Sequence, residues 1–227
     1  MTKELLQKTA ELEKKSHLDY FKIAVTVDCV IFGYEERQLK VLVIKSDLKE
    51  YQGRYSLLGD FIKPDEDIDK ASYRILKERT GLTNVYLEQV HTFGKVKRHP
   101  SGRVITTAYF SLVDMQSVTL TLSNNYLGWL PIHELRTMAF DHSIILKDCL
   151  KRLQDVAFEK PIIFNLLAKS FSMRELQDAY EAVLQCELDR RNFRKKMALK
   201  NWIVDINQIE KDVPHRPGRL FSLRNGL

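Results

Sequence analysis

Charged side chains between residues 58 and 82 are spaced in a way that suits metal and phosphate chemistry. Glu66 and Arg74 precede Glu78, and Gly81 follows. Residues three and four apart on a helix share one face, so carboxylates at such a spacing converge on one point. Mg²⁺ prefers oxygen ligands of this kind, and a bound metal offsets phosphate charge and activates water. This segment is therefore the first candidate for a functional site.

The same segment resembles the Nudix box. That pattern is a glycine, five residues, a glutamate, seven residues, Arg-Glu, an aliphatic residue, any residue, Glu-Glu, any residue, a glycine and an aliphatic residue. Asp60 stands where the first glycine belongs, although Gly59 precedes it. The positions that match at the required spacing are Glu66, Arg74, Leu76, Glu78, Gly81 and Leu82. The resemblance implies a Nudix α/β/α sandwich with a mixed sheet.

Two positions of the box that matter for diphosphate hydrolysis are altered. Ile75 replaces the first glutamate of the helix, and Arg79 replaces the last. An isoleucine supplies no oxygen ligand, and a guanidinium places positive charge where a cation should bind. We therefore expect a catalytically inactive domain with no metal and no cofactor, in which Glu66, Arg74 and Glu78 form a salt-bridge network.

A strongly basic segment lies at residues 188–197. Asp189 is expected to cap a helix, and Phe193 and Met197, four positions apart, are expected to face the core. The cations then point outward toward phosphates or guanine edges, and Asn192 is a candidate for an adenine. Such a run alone is typical of a solvated surface helix. The residues predicted to contact DNA here and in the following segment are Ser172, Arg190, Arg191, Asn192, Arg194, Lys195, Lys196, Lys200, Arg216 and Arg219.

The elements before residue 159 predict an α/β unit. Apolar residues at helical spacing predict a short amphipathic helix within residues 5–16, a helix from Ile68 that Gly81 ends, and another helix from Ile144. The first two strands are predicted to form a hairpin. Strands are predicted over residues 23–32, 38–45, 55–62, 84–93, 103–113 and 126–130. This order favours a mixed sheet with helices on its faces.

After Pro161 the chain has a different plan. A short apolar helix over residues 162–168 precedes a second helix capped by Ser172 and the basic third helix. Two strands, over residues 202–206 and 219–223, then surround a polar loop. Three helices followed by a β-hairpin are typical of a winged helix, and the basic third helix in that position favours DNA binding. The predicted division is an N-terminal arm at 1–20, a Nudix-like domain at 21–158 and a winged helix at 159–227.

Together these segments resemble the Nudix-related transcriptional regulators, which join a Nudix-like effector domain to a C-terminal winged helix. The resemblance covers nearly the whole chain. It implies a homodimer that binds a pseudo-palindromic operator in double-stranded DNA, usually as a repressor, with a small effector that weakens DNA binding. The segments that carry it are residues 25–32, 85–90, 92–94, 102–105, 140–142 and 191–195.

The effector is predicted from finer detail. Members similar to regulators of NAD metabolism respond to ADP-ribose, whereas others resemble sugar-utilisation regulators that respond to arabinose. Residues 55–59 and the altered box favour the sugar branch, so a repressor of sugar catabolism that senses L-arabinose is expected, with an ADP-ribose-responsive regulator as the alternative. His99 stands where the family's aspartate is expected. The candidate pocket residues are Lys45, Asp60, Phe61, Glu78 and Arg103.

Charge and composition agree with this division. The net charge is +6, and residues 159–227 hold 13 basic and 9 acidic side chains, so the tail carries +4 of it. Such asymmetry indicates an anionic partner for the tail. Three scattered cysteines favour neither a disulfide framework nor a zinc ribbon, and the longest apolar stretch is too short to span a bilayer. We expect a cytoplasmic protein without a membrane partner. The altered box disfavours an active pyrophosphohydrolase, and the basic helix disfavours a partner-binding module.

Overall fold

The computed structural model describes residues 22–120, 127–212, 214 and 216–224, and the helix predicted within residues 5–16 lies outside them. The larger sheet in this part of the chain is flanked by the helices α1 (Ile68–Thr80) and α2 (His142–Val156). Its seven strands are β1 (Ala24–Glu35), β2 (Gln38–Lys45), β3 (Tyr55–Ser56), β4 (Leu58–Phe61), β5 (Glu88–Phe93), β6 (Val104–Val113) and β7 (Leu127–Pro131). The predicted mixed α/β sheet is therefore confirmed.

Strand β1 lies at the centre of the sheet. It pairs in parallel with β6 along residues 24–33 and antiparallel with β2 and β4. Because alternate side chains of a strand point to opposite faces, Val27, Cys29 and Ile31 pack toward α1, whereas Val30 and Phe32 pack toward α2. All five side chains are fully buried, so the sheet is covered on both faces as in an α/β/α sandwich.

The segment over residues 55–62 was predicted to be one strand but forms two. Tyr55–Ser56 pairs with the end of β2, whereas Leu58–Phe61 pairs with β1. The chain therefore changes partner at Leu57, whose side chain is buried. The strand predicted over residues 84–93 begins only at Glu88, after Asn84 adopts a left-handed conformation with φ of 55°.

The C-terminal part has the predicted winged-helix plan. A 3-10 helix (Pro161–Leu166) stands where the first α-helix was predicted. It is followed by β8 (Phe171–Ser172), α3 (Met173–Leu184), α4 (Arg190–Lys200), β9 (Ile203–Ile209) and β10 (Arg219–Leu223). Strand β10 lies between β8 and β9 in a three-stranded antiparallel sheet, which has one strand more than the predicted hairpin. The hairpin of β9 and β10 is the wing.

The two helices of the winged helix begin at the predicted caps. The Ser172 hydroxyl accepts a hydrogen bond from the Glu175 backbone N–H at 3.3 Å, and the Glu175 carboxylate accepts one from the Ser172 N–H at 2.7 Å. This reciprocal capping box satisfies two N–H groups that the helix end would otherwise leave unpaired. At α4 the Asp189 carboxylate accepts a hydrogen bond from the Asn192 N–H at 2.9 Å.

One apolar core joins the winged helix to the sheet. The cluster on the α2 face of the sheet extends through Phe164 and Tyr180 to Phe193 and Met197. Tyr180 is fully buried, and its hydroxyl donates a hydrogen bond to the Ala157 carbonyl at 3.0 Å. The two predicted domains are therefore packed against each other without a solvated gap at this junction.

Two further findings concern the whole described chain. The three cysteines are free, with Cys29 and Cys149 buried and Cys186 exposed. No helix among the described residues is long and apolar enough to cross a membrane.

Candidate functional site

A cleft of about 270 Å³ opens where β1, β2 and β4 meet the loop before α2. Its position follows from the change of partner at Leu57, because Gly59 on β4 lies against Asp28 on β1. A Cβ atom on Gly59 would lie 2.3 Å from the Asp28 carboxylate, so only glycine fits there. Polar and aromatic residues that line the cleft include Asp28, Lys45, Asp60, Arg79, His99 and Phe140.

A buried ion cluster lies at the inner wall of the cleft. The Arg98 guanidinium, whose side chain is 3% exposed, donates two hydrogen bonds to Asp141, at 2.7 and 3.0 Å, and one to Asp28 at 3.3 Å. Removing one partner of a buried cluster leaves the other charges uncompensated. The three side chains therefore hold the inner wall in one arrangement.

His142 connects this cluster to the sheet. Its Nδ1 atom accepts a hydrogen bond from the Leu57 backbone N–H at 3.0 Å, which fixes the proton of the neutral ring on Nε2. That Nε2 atom lies 3.6 Å from the Asp28 carboxylate. Burial lowers the pKa of His142, although Asp28 opposes the shift. The ring is thus held neutral at the first residue of α2.

An aromatic wall forms the outer side of the cleft. The rings of His99 and Phe140 stack with centroids 4.9 Å apart, and Tyr51 packs on Phe140 at 4.6 Å. Phe140 adopts a left-handed backbone conformation, with φ of 53°, which is uncommon for a residue with a bulky side chain. Flat apolar surfaces of this kind suit the stacking of a planar ligand group.

Stability is expected to decrease as the pH falls through about 6.5. The buried His142 has a pKa below its ordinary value of 6.5, and burial together with Arg98 also lowers the pKa of His99. Below pH 6.5 the unfolded chain therefore binds more protons than the folded one. The contribution of the two neutral histidines to the free energy of unfolding is fully present above that pH and is lost as the pH falls below it.

Urea unfolding at pH 7.5 and 5.5 tests this expectation. The midpoint of the wild type should be lower at pH 5.5. In the variant His142→Gln the difference between the two midpoints should shrink, whereas a difference as large as in the wild type would contradict the assignment.

The residues predicted for the effector pocket lie in two places. Lys45, Asp60 and Phe61 line the cleft. Glu78 lies on the solvent side of α1, where its carboxylate accepts a hydrogen bond from Arg74 at 2.9 Å. Arg103 donates a hydrogen bond to the Gly94 carbonyl at 2.5 Å and is not part of the lining.

The predicted salt-bridge network of the box is present. Arg74 donates hydrogen bonds to both oxygens of Glu66 and one to Glu78. The guanidinium and the Lys63 N–H hold the pKa of Glu66 at about 2, well below its ordinary value. Ile75 is fully buried beneath the sheet. Among the described residues, no three His, Cys, Asp or Glu side chains come together in a way that could hold a metal ion.

Arg79 lies at the rim of the cleft. Its Nη2 atom donates a hydrogen bond to the Asp60 carboxylate at 2.6 Å, and both side chains are 35% exposed. The last glutamate position of the box is thus occupied by a guanidinium that faces the cleft. The sequence pointed to this position through the box but not to its contact with Asp60.

A second candidate surface lies on the winged helix. Phe193 and Met197 are buried as predicted, and the opposite face of α4 is exposed. The lining of a groove between α3, α4 and the wing contains six arginines and three acidic residues, and four of the arginines, Arg190, Arg194, Arg216 and Arg219, were predicted DNA contacts. Arginine-rich surfaces beside an exposed helix suit the phosphates and base edges of DNA.

Several of the predicted DNA contacts have other partners within the protein, and Arg219 donates a hydrogen bond to Asp205 at 2.8 Å. Ser172 is buried and occupied by the capping box. The Lys196 ammonium lies 3.4 Å from the centre of the Phe158 ring, and that of Lys200 lies 5.0 Å from the Trp202 ring. These two cations therefore cover aromatic rings of the protein rather than continue the outer face of α4.

Sequence reasoning missed the arginines that complete the groove and the cluster behind the cleft. Arg37 lies at the β1–β2 turn and donates a hydrogen bond to Asp178 on α3 at 2.9 Å. Arg174 also lines the groove. The predicted hairpin placed a turn between β1 and β2, and in the structure Glu36 and Arg37 both have positive φ there. Neither arginine is distinguished by local sequence.

Comparisons with known proteins match both parts of the chain. The sequence model of the NUDIX domain matches residues 22–152, and that of the NrtR DNA-binding winged helix domain matches residues 163–223. The ADPR responsive transcriptional repressor NtrR of Acinetobacter baylyi is 28% identical over 208 residues, which span 89% of this chain and 83% of that protein.

Two solved structures are also similar. Shewanella oneidensis NrtR complexed with a 27mer DNA has a TM-score of 0.74 and 28% identity, and the match covers 88% of this chain and 93% of that one. The NUDIX domain of the same protein complexed with ADP ribose has a TM-score of 0.51 and 30% identity, and the match covers 57% of this chain and 87% of that domain.

Proposed function

This chain belongs to the NUDIX family and carries an NrtR-type DNA-binding winged helix domain, and from that premise we propose that it is a transcriptional repressor whose NUDIX domain binds a small effector. The observation that carries the proposal is the exposed basic face of α4 beside the arginine-lined wing. A capped helix that presents cations in this position is the part of a winged helix that enters the major groove.

The proposed effector is ADP-ribose. A relative named for its response to ADPR covers most of the chain, and a similar NUDIX domain has been solved with ADP ribose. The cleft supports this assignment, because it offers cationic groups for a diphosphate and the Phe140 and His99 rings for an adenine. These findings favour ADP-ribose, the alternative effector, over the L-arabinose expected from the sequence.

We further propose that the NUDIX domain binds its effector without hydrolysing it. The donor set supports this, since Glu66 and Glu78 are the box positions that retain carboxylates and both are bonded to Arg74. Ile75 offers no oxygen, and Arg79 adds positive charge. Mg²⁺ requires several oxygen ligands at short range, so the residues present do not fit a magnesium ion at the box.

The biological unit is proposed to be a cytoplasmic homodimer on a pseudo-palindromic operator. A single winged helix covers one half-site, and two half-sites related by a dyad call for two copies of the reader. Size-exclusion chromatography with light scattering measures the mass of the protein and of its complex with operator DNA. A complex that contains a single protein chain would contradict this part of the proposal.

A gel shift with the full chain and the promoters of the genes beside its own tests the function. We expect a discrete complex whose affinity falls steeply between 50 and 200 mM salt, because several phosphate contacts release counterions. ADP-ribose should dissociate the complex, and L-arabinose, other pentoses and AMP serve as matched ligands. No complex with any neighbouring promoter would contradict the repressor, and release by arabinose alone would overturn ADP-ribose as the effector.

A further inference from the structure

Arg79 occupies a position at which a carboxylate would serve a metal-dependent hydrolase. The box spacing places this residue on the last turn of α1, and the side chain lines the cleft rather than pointing to bulk solvent. A guanidinium and a divalent cation differ in shape, but each binds phosphate oxygens directly. The altered residue therefore removes a metal ligand and in the same step supplies a cation.

The backbone at Arg79 is held in place by neighbouring residues at the end of α1. The next residue, Thr80, is fully buried, and its hydroxyl donates a hydrogen bond to the Leu76 carbonyl at 2.7 Å. Gly81 ends the helix in a left-handed conformation, with φ of 77°, and its N–H bonds the Lys77 carbonyl. The guanidinium is thus held at the rim by a well-fixed helix end, and only its side chain needs to move toward a ligand.

The contact that Arg79 makes in the structure is exchangeable. Its hydrogen bond to Asp60 uses one of five N–H donors, and both partners are about one third exposed. Ion pairs with this degree of solvent contact contribute little to stability. A diphosphate presents several charged oxygens and can take bidentate bonds from a guanidinium.

The other arginine of the cleft cannot play this part. Arg98 is almost fully buried and bonds both Asp28 and Asp141. Releasing it to a ligand would leave two buried carboxylates without a cation. Arg79 is therefore the guanidinium in this cleft that a ligand can recruit without disturbing the inner wall.

We propose that Arg79 takes over the role of a metal ion in the cleft by binding the phosphate oxygens of the effector directly. Effector binding is then independent of divalent cations, and Arg79 selects a phosphate-bearing ligand over a neutral sugar. Asp60 acts as the counter-ion that holds the guanidinium until the ligand displaces it. This inference rests on the proposed effector-binding function and specifies how that same cleft recognises its ligand.

Calorimetric titration of the full chain with ADP-ribose tests the inference, in EDTA and again in MgCl₂. The wild type should bind equally well in both. Arg79→Gln should weaken binding at least tenfold, which corresponds to about 1.4 kcal/mol. Lys77→Gln removes the same charge from the exposed side of the same helix turn and should leave the affinity within twofold of the wild type.

Asp60→Asn separates a binding role from a structural one. It removes the carboxylate that competes with the ligand for Arg79, so ADP-ribose affinity should rise, whereas Arg79→Gln weakens it. Equal losses in both variants would mean that the pair only supports the fold, and the inference would be overturned. It would also fail if the wild type bound only with Mg²⁺ present or if Arg79→Gln bound as tightly as the wild type.

A promoter gel shift distinguishes these failures from failure of the proposed function. Arg79→Gln should retain the DNA affinity of the wild type but need at least ten times more ADP-ribose for release. If the same ADP-ribose concentration releases the variant and the wild type from DNA, the proposed repressor function is supported and the inference about Arg79 is wrong. If the wild type binds promoter DNA but not ADP-ribose, both the assigned effector and the inference are wrong, whereas the proposed DNA-binding function is supported.

Discussion

Replacing Arg191 and Arg194 together by alanine is expected to weaken promoter binding at least a hundredfold while leaving the fold intact. Both side chains are exposed on α4, whereas Phe193 and Met197 of the same helix are buried. A bidentate contact from arginine to a guanine is worth about 1–3 kcal/mol, and a lost phosphate contact adds to it. Two such losses sum to the roughly 2.8 kcal/mol that a hundredfold change requires.

Fluorescence anisotropy with labelled promoter DNA, measured over a series of salt concentrations, checks this expectation. In a plot of the logarithm of the binding constant against the logarithm of the salt concentration, the slope should be shallower by about one for each arginine that contacts a phosphate. Lys147→Ala combined with Lys151→Ala is the matched control, since it removes two exposed cations from α2. The double arginine variant should melt at the wild-type temperature. Wild-type affinity in it would place the DNA surface elsewhere on the molecule.

The elements of this fold were predictable where a local signal and the tertiary environment agree. Strand β1 combines β-branched residues with burial on both faces, so periodicity and packing favour the same structure. The N-terminal ends of α3 and α4 were predictable because Ser172 and Asp189 are capping residues that bond nearby backbone N–H groups. Phe193 and Met197 follow from helical spacing alone.

The inner wall of the cleft was not predictable in this way. Asp28, Arg98, Asp141 and His142 come from three separate segments, and the contacts among them depend on the parallel register of β1 with β6 and on the loop before α2. Periodicity assigns residues to faces but does not say which side chains meet across a sheet. A buried arginine is uncommon enough that composition gives no warning of it.

The cations of α4 show the same limit on a smaller scale. Helical spacing separates the buried Phe193 from its exposed neighbours but does not reveal that Phe158 lies beside the helix. The Lys196 ammonium stacks on that ring because the winged helix packs against the end of α2. The charge run therefore divides into residues available to DNA and a residue that takes part in the junction.

That junction leads to the second large effect. Tyr180→Ala is expected to lower the free energy of unfolding by about 3–5 kcal/mol, as truncation of a large buried aromatic side chain does. Tyr180 stacks on Phe158 with centroids 4.7 Å apart and packs edge-on against Phe193 at 5.3 Å. Its hydroxyl bonds the Ala157 carbonyl, so the side chain joins the segment directly after α2 to α4.

Tyr180→Phe is the control that separates the hydrogen bond from the packing. It keeps the ring and removes the hydroxyl, so the expected loss is about 0.5–1.5 kcal/mol, the usual net worth of one hydrogen bond. Urea unfolding followed by far-UV circular dichroism gives both values. A loss in the phenylalanine variant as large as in the alanine variant would mean that the hydroxyl, and not the ring, joins the two parts.

The two tryptophans make the cooperativity of the junction measurable. Trp129 lies on β7 of the larger sheet, and Trp202 packs edge-on against Phe164 in the winged helix. In Trp129→Phe and Trp202→Phe, the remaining tryptophan reports on one domain. Because one core runs through both domains, the two transitions should coincide, and Tyr180→Ala should lower both midpoints together. A winged helix that unfolds first, with the Trp129 signal unchanged, would show that the NUDIX domain and the winged helix are separate folding units.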